Sequence, residues 1–205
     1  MSRIGILGGT FNPIHIGHIK LATAAYESLK LNKVLIMPTG ISYLKAGTDV
    51  LPKEIRAEIV NISIKNYPYL EFSDIEINRD GNTYTYETLL ELKDSFPNDE
   101  FYYIIGADTL YSMEFWKLPE IIFKNCVIAA MARDDIDYDD MSVKIADLKN
   151  RFNANIELIN APKFDISSSY IRDQIKSGNI SGIKEFLDTD AYDYIINNKI
   201  YLTGR

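Results

Sequence analysis

A chain of 205 residues suffices for one large domain, or for one domain with appended helices. Hydrophobic residues make up 46% and charged residues 25%, ordinary values for a soluble globular protein with a sizeable core. With 29 acidic against 22 basic side chains the formal charge is −7, which excludes the broad basic face of a nucleic-acid binder. A polyanionic ligand would instead be held by a few well-placed cations.

One cysteine, Cys126, cannot form an intrachain disulfide, and no Cys/His spacing suits zinc. Its apolar surroundings, Cys126–Met131, point to the core. No signal-peptide pattern is visible, and no apolar run approaches the roughly 18 residues of a membrane span. The expectation is a cytoplasmic protein with no membrane and no nucleic-acid partner; a homo-oligomer is compatible with the sequence.

Arg3–Leu7 reads as a buried strand ending in two glycines. A helix is expected from about Ile16 to Lys30, with Ile19, Ala22, Tyr26 and Leu29 on one face. Lys33–Met37 is a second strand, closed by Pro38. A polar loop leads to Pro52, which suits the first turn of a helix with Ile55, Ile59 and Ile62 as its apolar face. The next strand is read as Leu70–Ile77, followed by a turn at Arg79–Asn82 and a helix near Thr85–Ser95. Phe101–Ile105 is the most strand-like run and stops at Gly106. After a short helical region, Cys126–Met131 is another strand. The Asp-rich segment Asp134–Asp140 reads as an exposed loop before a helix ending near Arg151. Asn155–Ile159 is the last clear strand, and the part beyond about residue 167 is helical, with Gly178 as a helix stop.

Strands alternating with helices imply an α/β fold: a Rossmann-like parallel sheet flanked by helices, with a helical C-terminal part. Residues 1–205 read as a single domain without internal repeats. In such sheets ligands bind beyond the carboxyl ends of the strands, and the motifs of this chain fall at strand ends or helix starts.

The first motif is Gly8-Gly9-Thr10-Phe11-Asn12-Pro13-Ile14-His15-Ile16-Gly17-His18. Glycines after a strand let the backbone approach a phosphate, and the following helix offers free N–H groups and the positive end of its dipole. The chain has 2 histidines, and a spacing of three puts both on one side of a first helical turn, as donors to phosphate oxygens. This stretch resembles the signature Gly-Gly-x-Phe-Asp-Pro-x-His-x-Gly-His of the nucleotidyltransferase superfamily. One departure is Asn12, which keeps the acceptor oxygen of the usual Asp for a capping role but carries no charge. A second stretch, Ile166-Ser167-Ser168-Ser169-Tyr170-Ile171-Arg172, resembles the superfamily's Ile-Ser-Ser-Thr-x-Ile-Arg, where hydroxyls, N–H groups and an Arg meet the ATP phosphates.

Over almost its whole length the chain is similar to bacterial nicotinate-nucleotide adenylyltransferases. Pro38–Lys45 aligns with the family's Pro-x-x-x-Pro-Pro-His-Lys, keeping the proline and lysine and replacing Pro-Pro-His by Ser-Tyr-Leu. Thr83-Tyr84-Thr85-Tyr86-Glu87-Thr88-Leu89 resembles Ser-Tyr-Thr-x-Asp-Thr-Leu. Ile105-Gly106-Ala107-Asp108-Thr109-Leu110, followed by Trp116, resembles Ile-Gly-Ala-Asp-x-Leu and its downstream tryptophan.

The resemblance implies transfer of AMP from ATP to nicotinate mononucleotide, with Mg²⁺ arriving with ATP. His15, His18, Lys45 and Arg172 would form the catalytic set. Gly8, Gly9, Thr10, Phe11, His18, Gly106, Asp108, Ile166, Ser167, Ser168 and Arg172 would hold ATP. Lys45, Arg56, Tyr84, Thr85, Trp116 and Arg133 would hold the acceptor, with N–H groups near Thr85 receiving its carboxylate and Trp116 stacking on its ring. Two alternatives stay open: an adenylyltransferase for another acceptor, such as nicotinamide mononucleotide, and a catalytically weak nucleotide-binding regulator.

Overall fold

Strands with apolar side chains on both faces need cover on two sides, and the helices of this chain supply it. The computed structural model describes residues 1–42, 50–132, 135–160 and 166–202. In chain order the first half contains β1 (Arg3–Gly9), α1 (Ile16–Ser28), β2 (Lys33–Pro38), β3 (Ile41–Ser42), α2 (Lys53–Ile64), β4 (Leu70–Phe72), β5 (Asn82–Thr83) and α3 (Thr85–Ser95). The second half contains β6 (Glu100–Gly106), α4 (Ala107–Ser112), α5 (Pro119–Asn125), β7 (Val127–Ala132), α6 (Asp135–Phe152), β8 (Ile156–Asn160), α7 (Ser168–Lys176) and α8 (Thr189–Asn197).

Six strands form one wholly parallel sheet in the order β4-β2-β1-β6-β7-β8. The short strands β3 and β5 pair separately. The chain starts in the middle, winds to one edge, then returns past β1 to build the other half, which is the doubly wound order with its switch point between β1 and β6. Side chains alternate across β6: Tyr102 and Ile104 enter one core, Phe101, Tyr103 and Ile105 the other. The first core also takes Ile19 of α1, Ile59 of α2, Ile171 of α7 and Ile195 of α8. The second takes Leu89 of α3, Leu110 of α4, Ile122 of α5 and Met141 of α6. Each such fully buried aliphatic side chain contributes about 1.5–3 kcal/mol. Among the described residues no helix is long and apolar enough to cross a membrane.

β1 and β6 pair only from Arg3↔Glu100 to Ile6↔Tyr103, although β1 continues to Gly9 and β6 to Gly106. Beyond Ile6 and Tyr103 the two strands part, and this parting opens the crevice described below.

The structure differs from three sequence expectations. The strand read over Leu70–Ile77 stops at Phe72, because Ser73 N–H still bonds Ile36 but Asn78 N–H already turns back to Asp74. Of the acidic run read as a loop, Asp134 lies outside the described residues and Asp135 to Asp140 belong to α6. The face of α2 is rotated, with Arg56, Ile59, Val60, Ser63 and Ile64 buried while Ile55 and Ile62 sit at the margin. Cys126 is in the core as expected, and burial pushes its thiol up to about 12.

Candidate active site

The crevice between the ends of β1 and β6 is a cavity of about 400 Å³. Leu7, Gly8, Gly9 and Thr10 line one wall and Ile104, Ile105 and Gly106 the other. His18, Thr85, Asp108 and Trp116 also reach it, so three separate sequence motifs converge on one space. Gly8 and Gly9 are needed for room rather than for turning. A Cβ at Gly8 would stand 2.8 Å from the Tyr103 hydroxyl, and one at Gly9 would stand 2.8 Å from the Phe11 ring.

The two histidines share the start of α1 but not one role. His15 is the N-cap residue, and the two rings lie 3.7 Å apart between centroids, tilted by 35°. His15 is only 7% exposed and is absent from the cavity wall, whereas His18 is on it. Burial lowers the His15 imidazole to about 4, so this ring is neutral at pH 7. Its backbone N–H donates to His18 Nδ1 at 3.2 Å. That bond makes Nδ1 an acceptor and leaves the proton of the neutral His18 ring on Nε2. Phe11, buried beside the pair, meets His18 edge to face at 5.1 Å.

The loop from Thr10 to Pro13 is held through its carbonyls by side chains from distant elements. Arg56, 2% exposed, donates to Thr10 O at 2.7 Å, Thr39 O at 2.7 Å, Gly40 O at 2.9 Å and Leu51 O at 3.0 Å. Its place therefore differs from the expected acceptor contact: four of its donors are engaged with backbone. Arg172 donates to Asn12 O at 2.9 Å and to Ser169 Oγ at 3.2 Å, and Ser168 Oγ donates to Pro13 O at 2.9 Å. Ser167 caps α7 by accepting from Tyr170 N–H. The second motif is thus docked on the first, and Ile166 packs against the core beside it. Asn12 does not cap α1, as its residue type suggested; its Oδ1 accepts from Leu51 N–H at 3.3 Å and from the Tyr201 hydroxyl at 2.9 Å.

The opposite end of the cavity is built from side chains. Tyr84 is the N-cap of α3 and makes no side-chain cap bond, so Thr85 is the first helical residue rather than the cap. The Thr85 hydroxyl lies 3.5 Å from that of Tyr103, whose ring meets Trp116 edge to face at 6.1 Å. Trp116 follows a short 3-10 turn, Met113–Phe115, whose Glu114 pairs with Lys144 and Arg151 of α6. Those two cations hold the Glu114 carboxyl below its usual range.

Sequence reading missed several residues here. Glu76 is 6% exposed, lines the cavity, and accepts from Thr88 Oγ1 at 2.8 Å. Burial raises its carboxyl above the ordinary value, against the hydroxyls of Thr88 and Thr83. Arg79 donates to the same Thr88 oxygen at 2.9 Å and to Glu91 at 2.6 Å. Lys117 stands 4.0 Å from the centroid of the Tyr84 ring. Thr39 also lines the cavity, and its buried hydroxyl has no partner among the described residues. The Glu-x-x-Arg spacing of Glu76 and Arg79 was the one available signal, and it is common on solvated turns. Lys45 and Arg133 lie outside the described residues.

Comparison with known proteins matches this geometry. The cytidylyltransferase-like family matches residues 6–174. The chain is 41% identical over 202 residues to the probable nicotinate-nucleotide adenylyltransferase of Lachnoclostridium phytofermentans, spanning 98% of this chain and 100% of that one. It is 36% identical over 201 residues to the probable nicotinate-nucleotide adenylyltransferase of Carboxydothermus hydrogenoformans, with 98% of both chains covered. Among solved structures, the Plasmodium falciparum nicotinic acid mononucleotide adenylyltransferase complexed with NaAD superposes with a TM-score of 0.80 over 98% of each chain. At 23% identity that likeness is one of fold. With the motifs, the sheet order and the full-length relatives in agreement, this chain belongs to the nicotinate-nucleotide adenylyltransferase family within the cytidylyltransferase-like nucleotidyltransferases.

Proposed function

We propose that this protein transfers AMP from MgATP to nicotinate mononucleotide, giving deamido-NAD and pyrophosphate in NAD biosynthesis. The observation that carries the reading is that one cavity is lined both by Gly8–Thr10 and His18 and by Thr85, Tyr103 and Trp116. Such a site suits two small substrates lying head to head across the switch point of the sheet. A cytoplasmic location, where ATP is available, is part of the same reading.

The mononucleotide phosphate is already ionised at neutral pH and attacks the α-phosphorus of ATP. A new P–O bond forms as the bond to the bridging oxygen of the β-phosphate breaks, and pyrophosphate leaves in line with the electron pair. No protein base is required, so catalysis consists of positioning and charge stabilisation. His18 Nε2–H is placed as a donor to a phosphate oxygen. Backbone N–H groups of the Gly8–Phe11 loop and the dipole of α1 favour the same anion. Lys45, Arg172 and the serines of α7 add donors, and Gly106 and Asp108 fit the adenosine side. Arg56 acts by holding loop carbonyls in place. Mg²⁺ enters as part of the substrate; among the described residues no cluster of three or more His, Cys, Asp or Glu side chains forms a resident metal site. At the acceptor end the start of α3 favours a carboxylate, Trp116 offers a stacking face, and Arg133 is proposed as a further contact.

The test is pyrophosphate release from ATP with each acceptor in turn. Nicotinate mononucleotide should support turnover at least tenfold better in kcat/KM than nicotinamide mononucleotide. A reversed preference would assign the other acceptor, and no acceptor-dependent release would leave a binding protein.

A further inference from the structure

The segment after α8 returns to the phosphate loop. Tyr201 is 9% exposed, and its ring packs in the core shared by α1, α2, α7 and α8. Its hydroxyl donates to Asn12 Oδ1 at 2.9 Å, between residues 189 positions apart in sequence. Asn12 is itself 4% exposed, and its carbonyl accepts from Arg172. Tyr201 also lies near Arg56, which holds the Thr10 carbonyl.

Packing alone does not explain this contact, because a phenylalanine would fill the same volume. A buried phenol needs a hydrogen-bond partner, and here the partner is a side chain of the loop rather than a core carbonyl. The backbone adds a second, independent observation. Phe11 and Tyr201, which flank the contact, both have positive φ, 47° and 69°. A non-glycine residue there sacrifices roughly 1 kcal/mol or more, and such conformations persist where the surroundings over-determine them, often at functional sites.

We propose that Tyr201 is a positioning residue for nucleotidyl transfer: its hydroxyl, through Asn12, fixes the Thr10–Pro13 loop and the Arg172 guanidinium docked on it. This rests on the reading that the loop faces the ATP phosphates. A loop that is free to shift still binds ATP but loses alignment at the transition state, where small displacements cost most. The latch therefore acts on kcat rather than on KM.

The experiment compares Tyr201→Phe with Tyr194→Phe, a control that removes a phenol on α8 paired with Glu58 of α2 rather than with Asn12. Both variants should fold, with similar small losses in Tm, and all rates are taken well below the lower Tm. Tyr201→Phe is expected to lower kcat five- to thirtyfold with KM for ATP changed less than threefold. Tyr194→Phe should keep the wild-type kcat. In an Asn12→Ala background, Tyr201→Phe should cost less than twofold further, because the bond through which the latch acts is already gone. A kcat within twofold of wild type for Tyr201→Phe overturns the latch, as does an equal fractional loss with and without Asn12, or an equal loss in Tyr194→Phe. Wild type is assayed first with nicotinate mononucleotide; failure there removes the functional reading instead.

Discussion

The two ends of the cavity are built on opposite plans. Where ATP is proposed to bind, much of the surface is backbone. Carbonyls of Thr10, Asn12 and Pro13 are each pinned by a side chain from a remote element, Arg56, Arg172 and Ser168. In a trans peptide the N–H points opposite its C=O, so pinning Thr10 O also turns Phe11 N–H away from Arg56. At the acceptor end the surface is side chain: Glu76, Thr85, Tyr103 and Trp116, held by rings and hydroxyls. Backbone donors do not change when residues are exchanged, whereas side chains do. The reaction step that a whole superfamily shares can therefore sit on a fixed frame, while the choice of acceptor rests on parts that substitution readily alters.

If that division holds, the largest effect should follow loss of the His18 side chain, which lines the cavity beside the Gly8–Thr10 loop. His18→Ala is expected to lower kcat by roughly 10²–10³-fold, the usual cost of a donor acting on developing charge, with unchanged circular dichroism. A near-normal kcat would reject the role proposed for His18. Trp116→Ala should act differently: KM for the mononucleotide rises roughly tenfold, as expected for loss of an aromatic contact, with kcat within threefold. An unchanged KM would return Trp116 to packing against Tyr103.

The smallest expected effect separates the two histidines. The His15 imidazole titrates near 6.5 when unfolded and at about 4 when folded. Between those values the unfolded chain binds the extra proton, so stability rises with pH across that window and is lost on acidification. Denaturant unfolding of wild type should lose about 1 kcal/mol more between pH 7 and 5.5 than His15→Gln does. Parallel pH curves would mean that His15 is as accessible as His18.

The same contrast explains what could be read from sequence. The first strand, α1 and α3 at Thr85–Ser95 were legible from their apolar pattern, whereas the turn expected at Arg79–Asn82 falls earlier, at Asp74–Asn78, and Asn82 already begins β5. Alternation and handedness implied a parallel sheet with helical crossovers, while the strand order is known only from the structure. Local motifs at Gly8–His18 and Ser167–Arg172 were legible as chemistry but not as mutual contacts. Arg56 was named from the resemblance, but its buried role was hidden because a lone arginine on an amphipathic helix normally marks the solvent face. Its burial depends on four carbonyls that only the tertiary fold assembles. Glu76 was hidden likewise, since its hydroxyl donors come from a strand and a helix that follow it.

The close approach of Gly8 to Tyr103 bears on how such a cavity can diversify. The phenol fills the space a methyl group at residue 8 would need, at 2.8 Å, and the same ring abuts Trp116. Clearance across the crevice is thus shared between residues 8 and 103, one on each side of the switch point. Enlarging either demands that the other shrink or swing toward the tryptophan. The two positions form a coupled gauge, and an acceptor of different girth calls for a paired substitution rather than a single one.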